Sequence, residues 1–153
     1  MTDAERHMMC FEADMDLRQY RDAKKNIEHY RKKIERLQER ADKTTQELNP
    51  DKIFLQNNEA TRENIILTIL DMQNDLWHKM LEAEKLCRSL ENKIDVWTEG
   101  IGARVLRSYY LYGQNLKQIA VEEGYSYKQI KRFRWAALEQ YGKNLTKNCE
   151  IGG

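Results

Sequence analysis

Hydrophobic residues recur at alternating intervals of three and four through most of the first hundred residues. The first such stretch runs from Ala13 to Leu48. Two interleaved registers make up its stripe: Tyr20, Ile27, Ile34, Ala41, Leu48, and Ala23, Tyr30, Leu37, Thr44. This spacing collects the apolar side chains on one face of an α-helix, with charged residues on both flanks. The pattern predicts a long helix that packs along a partner helix, although Asp16 interrupts the stripe.

A proline divides this pattern into two predicted helices. The residue before a proline avoids the α conformation, so Pro50 predicts a helix end near Leu48 and a connection over residues 51–60. A second helix is predicted from about Ala60 to Thr98. Its seam consists of Ile66, Ile69, Gln73, Leu76, Met80, Ala83, Cys87, Leu90, Ile94 and Trp97. Further apolar residues widen the face of its first half: Ile65, Leu70, Met72, Trp77 and Leu81.

Two long helices joined by a short connection predict an antiparallel, coiled-coil-like hairpin over residues 1–99. An apolar face wider than one seam indicates contact with more than one helix. A single hairpin leaves part of that face exposed, and we therefore expect the hairpins of two chains to pair as a homodimer.

Glycine and charge set the last third of the chain apart. All seven glycines lie at Gly100 or later, and Pro50 is the only proline. The 99 residues without glycine argue against a β-protein or a nucleotide-binding α/β fold, which need turns. Residues 101–147 hold nine Lys/Arg and three Glu (9 − 3 = +6), whereas residues 1–100 hold 17 Lys/Arg and 21 Asp/Glu (17 − 21 = −4). This asymmetry suggests that only the C-terminal part meets a polyanion.

Residues 100–145 predict a domain of three helices. The first covers 103–112 and ends at Gly113. Asn115 and Gln118 form a capping-box-like pair at the start of the second, which covers 116–123. Gly124 supplies the turn, where a positive φ suits glycine. Ser126 and Gln129 form an S-x-x-Q capping box that opens the third helix, over 127–141. Residues 146–153 are predicted to be a flexible tail.

The spacing of the second and third helices is typical of a helix-turn-helix. A small residue, Ala120, stands four residues before Gly124, and the apolar Ile130 and Phe133 follow six and nine residues after it. Such a unit offers the first turns of its last helix to the major groove of DNA. Glu123 departs from the pattern, which usually has an apolar residue there, and we expect Val121 to take over part of that packing.

The predicted DNA-binding residues are those expected to be exposed on or beside the third helix. They are Lys117, Ser126, Tyr127, Lys128, Gln129, Lys131, Arg132 and Arg134. Gln129 has the donor and acceptor that suit an adenine edge, and Lys or Arg reach guanine O6 and N7. Tyr127 suits a thymine methyl group or a phosphate, and Lys117 is better placed for the DNA backbone.

The stretch RVLRSYYLYGQNLKQIAVEEGYSYKQIKRFRWAALEQY resembles region 4 of bacterial sigma factors over about forty residues. The layout, a helical part followed by this module, is similar to phage and prophage transcriptional regulators of the ArpU/RinA type. The resemblance implies a DNA-binding regulator of phage genes, which would act in the cytoplasm of a bacterial host. The residues themselves indicate neither a cofactor nor a catalytic site. Region 4 alone does not make a complete sigma factor.

Other classes of function have weaker support in the sequence. Three widely spaced cysteines without a CxxC pair argue against a disulfide framework or a zinc site and favour a reducing cytoplasm. No apolar run approaches the roughly 20 residues needed to cross a membrane. No nucleophile-and-base pair or phosphate-cradling glycine loop indicates an enzyme. Two alternatives stay open: a small terminase-like DNA-packaging subunit, and a helical adaptor that binds a protein such as RNA polymerase.

Overall fold

The computed structural model describes the backbone of residues 1–46 and 55–151 and the side chains of residues 1–45 and 60–148. That part of the chain is all-helical and contains no β-strand. Its α-helices are α1 (Asp3–Gln46), α2 (Leu55–Trp97), α3 (Gly100–Leu106), α4 (Leu116–Glu123) and α5 (Tyr127–Ile151). The prediction of an all-α protein is therefore confirmed.

Helix α1 begins at Asp3, well before the start of the hydrophobic stripe at Ala13. A reciprocal capping box explains the early start: the backbone N–H of Glu5 donates to Thr2 Oγ1 over 3.2 Å, and the backbone N–H of Thr2 donates to Glu5 Oε2 over 2.9 Å. Helix α2 begins at Leu55, inside the predicted connection. The predicted helix end near Leu48 lies outside the described residues.

The segment predicted as one helix over 103–112 is an α-helix followed by a wider π turn. Helix α3 ends at Leu106, and residues Arg107–Leu111 form the π segment. Its widened hydrogen bonding is visible in the bond from the N–H of Tyr112 to the carbonyl of Arg107, five residues back. Gly113 follows with φ +71°, as expected of a residue that terminates a helix.

Helix α5 is longer than predicted. It continues to Ile151, so the prediction of a flexible tail from residue 146 is wrong for residues 146–151. Leu145 packs against buried residues of the core, and Thr146 Oγ1 donates to the carbonyl of Gly142 over 3.0 Å. The contact of Leu145 holds this part of α5 against the core, and the bond of Thr146 lies within the helix itself.

Contacts divide the chain at different places from the predicted boundary near residue 100. One unit, the head unit, combines Met1–Ala23 with Lys85–Gly153, and the other, the shaft unit, is Lys24–Glu84. The head unit has a core to which the start of α1, the end of α2 and α5 all contribute. Its first cluster of buried residues is Cys10, Ala13, Leu17, Ile94, Ala103, Leu106, Tyr110, Ala137, Leu138 and Tyr141. The N-terminal residues thus belong with the predicted DNA-binding part.

A glycine permits the closest approach in this core. A Cβ added to Gly142 on α5 would lie 2.4 Å from the carbonyl oxygen of Met9 on α1, much nearer than any side chain tolerates. The absence of a side chain at this position therefore lets the backbones of α1 and α5 touch.

The shaft unit consists of the middle of α1 and the first part of α2. Every described position of the two predicted seams is buried or half-buried, both here and in the head unit, which confirms the periodicity. Gln73 is a polar residue buried on the seam, and its side-chain amide donates to the carbonyl of Ile34 over 3.3 Å and to Gln38 Oε1 over 3.1 Å. These two bonds satisfy the buried amide and fix the register of the helices.

Candidate nucleic-acid interface

The turn between α4 and α5 has the local geometry that the sequence predicts. Gly124 has φ +74° and its N–H donates to the carbonyl of Ala120, which ends α4. The N–H of Ser126 donates to Gln129 Oε1 over 3.0 Å, and the N–H of Gln129 donates to Ser126 Oγ over 3.2 Å. Asn115 and Gln118 form the same reciprocal box at the start of α4. Both helices of this part therefore begin where the two capping boxes place them.

A small apolar cluster fixes α4 and α5 against α3. It contains Val105, Ile119, Ala120 and Ile130, all buried. Phe133 packs against this cluster and meets the ring of Tyr125 edge-on at 5.0 Å between centroids. The cluster therefore sets which face of α5 remains exposed.

Glu123, the residue before the turn glycine, forms an ion pair with α3. Glu123 Oε2 accepts from Arg104 Nε on α3 over 3.2 Å, so the half-buried carboxylate is neutralised where an apolar residue is usual. The side chain of Val121 is 83% exposed. The prediction that Val121 takes over this packing is wrong, because the ion pair joins α4 to α3 instead.

Four predicted cations lie exposed on α4 and on the first turns of α5: Lys117, Lys128, Lys131 and Arg132. The ammonium of Lys131 lies 4.5 Å from the ring centroid of the exposed Tyr127. This cation–π contact orders both side chains while leaving the charge accessible. We call these four residues and Tyr127 the cationic face.

Most other cations of the head unit are neutralised nearby. Arg107 pairs with Asp95 over 2.8 Å, and Lys143 pairs with Glu139 over 3.5 Å. Arg104 pairs with Glu123, as described above. The described side chains provide no salt bridge for the cationic face. Four cations without a salt bridge among the described residues therefore lie on α4 and on the first turns of α5.

Gln129 is exposed, yet its carbonyl oxygen is already occupied. Gln129 Oε1 accepts from the N–H and the hydroxyl of Ser126, at 3.0 and 3.2 Å. A two-bond contact with an adenine edge needs that oxygen as an acceptor. Gln129 and Ser126 thus have a capping role in this structure, and only the amide N–H groups of Gln129 are left to donate to a ligand.

Arg134 does not project from α5 as predicted. Its side chain is 14% exposed, and one nitrogen, Nη2, donates over 3.0 Å both to Asp14 Oδ1 on α1 and to the hydroxyl of Tyr110. The guanidinium carbon also lies 4.7 Å from the ring centroid of Tyr109. The expectation that Arg134 is free for DNA is therefore wrong: α1 supplies a carboxylate that draws the side chain inward.

Burial would raise the pKa of Asp14, but hydrogen bonds from Arg18 and Tyr110, together with the charges of Arg18 and Arg134, outweigh it. The pKa of Asp14 lies below its usual value as a result. Burial and the hydrogen bond to Asp14 in turn raise the pKa of Tyr110, so the phenol stays protonated and donates.

The two carboxylates on α1 that accept these hydrogen bonds, Asp14 and Asp16, were not among the predicted functional residues. Asp16 accepts a 2.6 Å bond from the hydroxyl of Tyr141 and lies 3.5 Å from Lys93 Nζ. The signal was present in the sequence, because Asp16 stands on an otherwise apolar stripe. A carboxylate in such a position needs a polar partner, and here α2 and α5 supply it.

Comparisons with known proteins identify no relative of this chain. No family model, no curated protein and no solved structure matches it. Among the described residues, no helix has the length and apolar character required to span a membrane. No cluster of His, Cys, Asp or Glu suited to a metal ion occurs in the same part of the chain.

Proposed function

We propose that this protein is a sequence-specific DNA-binding transcription regulator of phage or prophage origin, which acts in the cytoplasm of a bacterial host. In this proposal α3, α4 and α5 form a helix-turn-helix, and α1 and α2 form an antiparallel hairpin that joins two copies. The observation that carries the proposal is the cationic face, which presents accessible positive charge on both helices that flank a capped, glycine-containing turn.

The residues of the cationic face divide into two tasks. Lys128 and Arg132 lie on the first turns of α5, the part of a recognition helix that meets base edges, where long cationic side chains reach guanine. Lys117 lies on α4 and suits a phosphate, as does Lys131 beside Tyr127. The half-buried Arg134 takes no part in contact with DNA in this proposal and instead anchors α5 to α1.

Within each unit, the contacts between α1 and α2 support an antiparallel hairpin. In the head unit, Asp16 pairs with Lys93 and Tyr20 donates to Glu91, so higher numbers on α1 meet lower numbers on α2. In the shaft unit, Gln73 reaches the carbonyl of Ile34 and the side chain of Gln38.

The test is a selection experiment followed by mobility shifts. The purified protein is mixed with fragments of phage and bacterial DNA, the retained fragments are sequenced, and binding is measured between 50 and 200 mM salt, the range in which phosphate contacts weaken by orders of magnitude. We expect an enriched motif and a steep salt dependence. The variant K128A/R132A should lose at least about tenfold in affinity for the enriched motif and should discriminate less between that motif and other sequences.

A matched control separates specific contact from general charge. K143A removes one positive charge from the same helix, but Lys143 already pairs with Glu139. K143A should therefore bind like the parent protein. Equal loss in K143A and K128A/R132A, or no loss in either, would show that the cationic face is not the DNA-binding surface.

A helical adaptor for a protein such as RNA polymerase is the second candidate. One observation favours it: Met8, Phe11 and Met15 form an exposed apolar stripe on the first part of α1, each more than half exposed. Large exposed apolar patches mark binding surfaces for proteins. Failure to bind any duplex at low salt, combined with capture of polymerase that M8K/M15K abolishes, would favour the adaptor over the regulator.

A further inference from the structure

The shaft unit buries very little of its own surface. Among its described side chains, 24–45 and 60–84, only Ile69 and Gln73 are buried, and one of these two is polar. The remaining seam residues are half-buried. Two helices with so small a core are marginal in water, because most helical stability comes from packing of an apolar face. The shaft unit therefore needs another surface to cover it.

A second apolar stripe on α2 provides the place for such a cover. It consists of Leu67, Leu70, Asn74, Trp77 and Leu81, which repeat at intervals of three and four. The four apolar side chains are 50–58% exposed. Each stripe position is one residue beyond a position of the inner seam, so the stripe is turned about 100° around the helix. We call these five residues the outer stripe.

We propose that the outer stripe binds the outer stripe of a second copy of this chain, with the two α2 helices antiparallel. The inference deepens the proposed homodimer and rests on that part of the proposed function. The cover is needed for the shaft unit itself to be stable, and a second copy is the partner present wherever the chain is made. A stripe with intervals of three and four is also the pattern that another helix with the same pattern fits.

The charges beside the stripe decide the direction. Glu63 and Glu84 continue the stripe at its two ends. A parallel pair would place Glu63 against Glu63 and Glu84 against Glu84, which are destabilising like-charge contacts. An antiparallel pair centred between residues 75 and 76 places Glu63 opposite the partner's Arg88 and Glu84 opposite the partner's Leu67, so that no carboxylate faces another. It also places each Asp71 near the partner's His78, twice by symmetry.

The same register places polar groups opposite each other in the middle of the stripe. Leu70 then faces the partner's Leu81, and Asn74 faces the partner's Trp77. A buried indole N–H needs an acceptor, which the amide oxygen of Asn74 supplies. A single polar position within an apolar stripe is also a common device for fixing register.

Mass measurement by sedimentation equilibrium tests the partner. The full chain should have twice the 18.3 kDa of one copy. L70E/L81E should lower the mass to that of a monomer, whereas the control M72E, on the same helix but outside the stripe, should leave the dimer intact. A monomeric parent protein, a ring of eight or more copies, or equal dissociation of M72E would overturn the proposal.

A distance measurement on the folded dimer tests the direction. We use N64C with a spin label in a C149S background, because Cys10 and Cys87 are buried. The antiparallel register separates the two labelled positions by about 35 Å along the helices, whereas a parallel pair brings them within roughly 10 Å. A short distance would overturn the antiparallel pairing.

These measurements fail independently of the DNA-binding proposal. An expected mass and label distance without salt-dependent DNA binding would leave the stripe in place and refute the regulator. Salt-dependent, motif-specific binding by a chain with the wrong mass or distance would leave the regulator in place and refute the stripe.

Discussion

Arg134 offers the sharpest test of how the head unit is organised, because the sequence and the structure assign it different roles. The sequence pattern places it among the DNA-contacting residues, whereas the structure turns it toward α1 as a partner of Asp14 and Tyr110. Arg134→Met keeps an unbranched apolar stem and removes the guanidinium group with its charge. We expect this variant to lose stability and to retain DNA affinity at temperatures where it is folded.

The magnitude follows from the contacts that are lost. Arg134 and Asp14 are 14% and 19% exposed in their side chains, so solvent screens their attraction only weakly. A hydrogen bond to a charged group contributes about 1.5–3 kcal/mol, and a partly desolvated cation–π contact about 1–2 kcal/mol. Asp14 keeps Arg18 as a partner at 2.8 Å, which limits the damage. We therefore expect a loss of about 2–4 kcal/mol in the free energy of unfolding.

Thermal and urea unfolding measure this loss, with Arg132→Met as the matched control. For a chain of this size, about 3 kcal/mol corresponds to a fall of roughly 6–12 °C in Tm. Arg132 lies on the same helix, is exposed, and has no salt bridge among the described residues. Arg132→Met should change stability by less than about 0.5 kcal/mol and weaken DNA binding. The two substitutions should thus have opposite effects.

The opposite pattern would refute the reasoning. In that case Arg134→Met would leave the Tm unchanged and would weaken DNA binding as much as Arg132→Met. That result would mean that Arg134 contacts DNA and that its ion pair with Asp14 does not contribute to stability. A double-mutant cycle with Asp14→Asn adds a second criterion. The two residues should show a coupling free energy of about 1 kcal/mol or more, since they are in direct contact.

Three further predictions concern the same unit. The lowered pKa of Asp14 contributes stability that is present above its ordinary value near 4 and is lost as the pH falls through the folded pKa, so the acid limb of an unfolding curve should be flatter in Asp14→Asn. Gly124→Ala should cost about 1–2 kcal/mol in urea unfolding, because φ is +74° there while the space around it is open. Gly142→Ala should cost about 3 kcal/mol, because its Cβ would overlap the carbonyl of Met9; a calorimetric Tm equal to that of the parent would contradict the close approach.

The features that the sequence predicts well are local ones. Two capping boxes, at Asn115 and Ser126, and the glycine at 124 lie within a few residues of the atoms they satisfy, so their side chains determine the helix starts and the turn. The seams of α1 and α2 can likewise be predicted from the spacing of hydrophobic residues alone. The Thr2-x-x-Glu5 box carried the same kind of signal, and it marks the start of α1.

The features that the sequence does not reveal depend on residues far apart in the chain. The charge and the helix position of Arg134 are those of a surface residue of α5. Its burial is explained only by its contact with Asp14, which lies 120 residues away in the sequence. The continuation of α5 beyond the predicted end at Tyr141 has the same origin, since Leu145 packs on a core that α1 completes. Periodicity identifies a buried face but does not identify the element that covers it.

The head unit is assembled from two stretches separated by the sixty-one residues of the shaft unit (84 − 24 + 1 = 61). During synthesis, residues 1–23 therefore emerge well before the helices that they will contact. Their buried residues cannot be covered until α5 has been synthesised. Folding of this unit is governed by a few pairings of very large sequence separation, the kind that form slowly. A fragment cut at residue 100, which would look like a natural domain from the glycine pattern, would lack Leu17 and Ala13 from its core and Asp14 beside Arg134. Any attempt to express α3, α4 and α5 without the rest of the chain should consequently include residues 1–23.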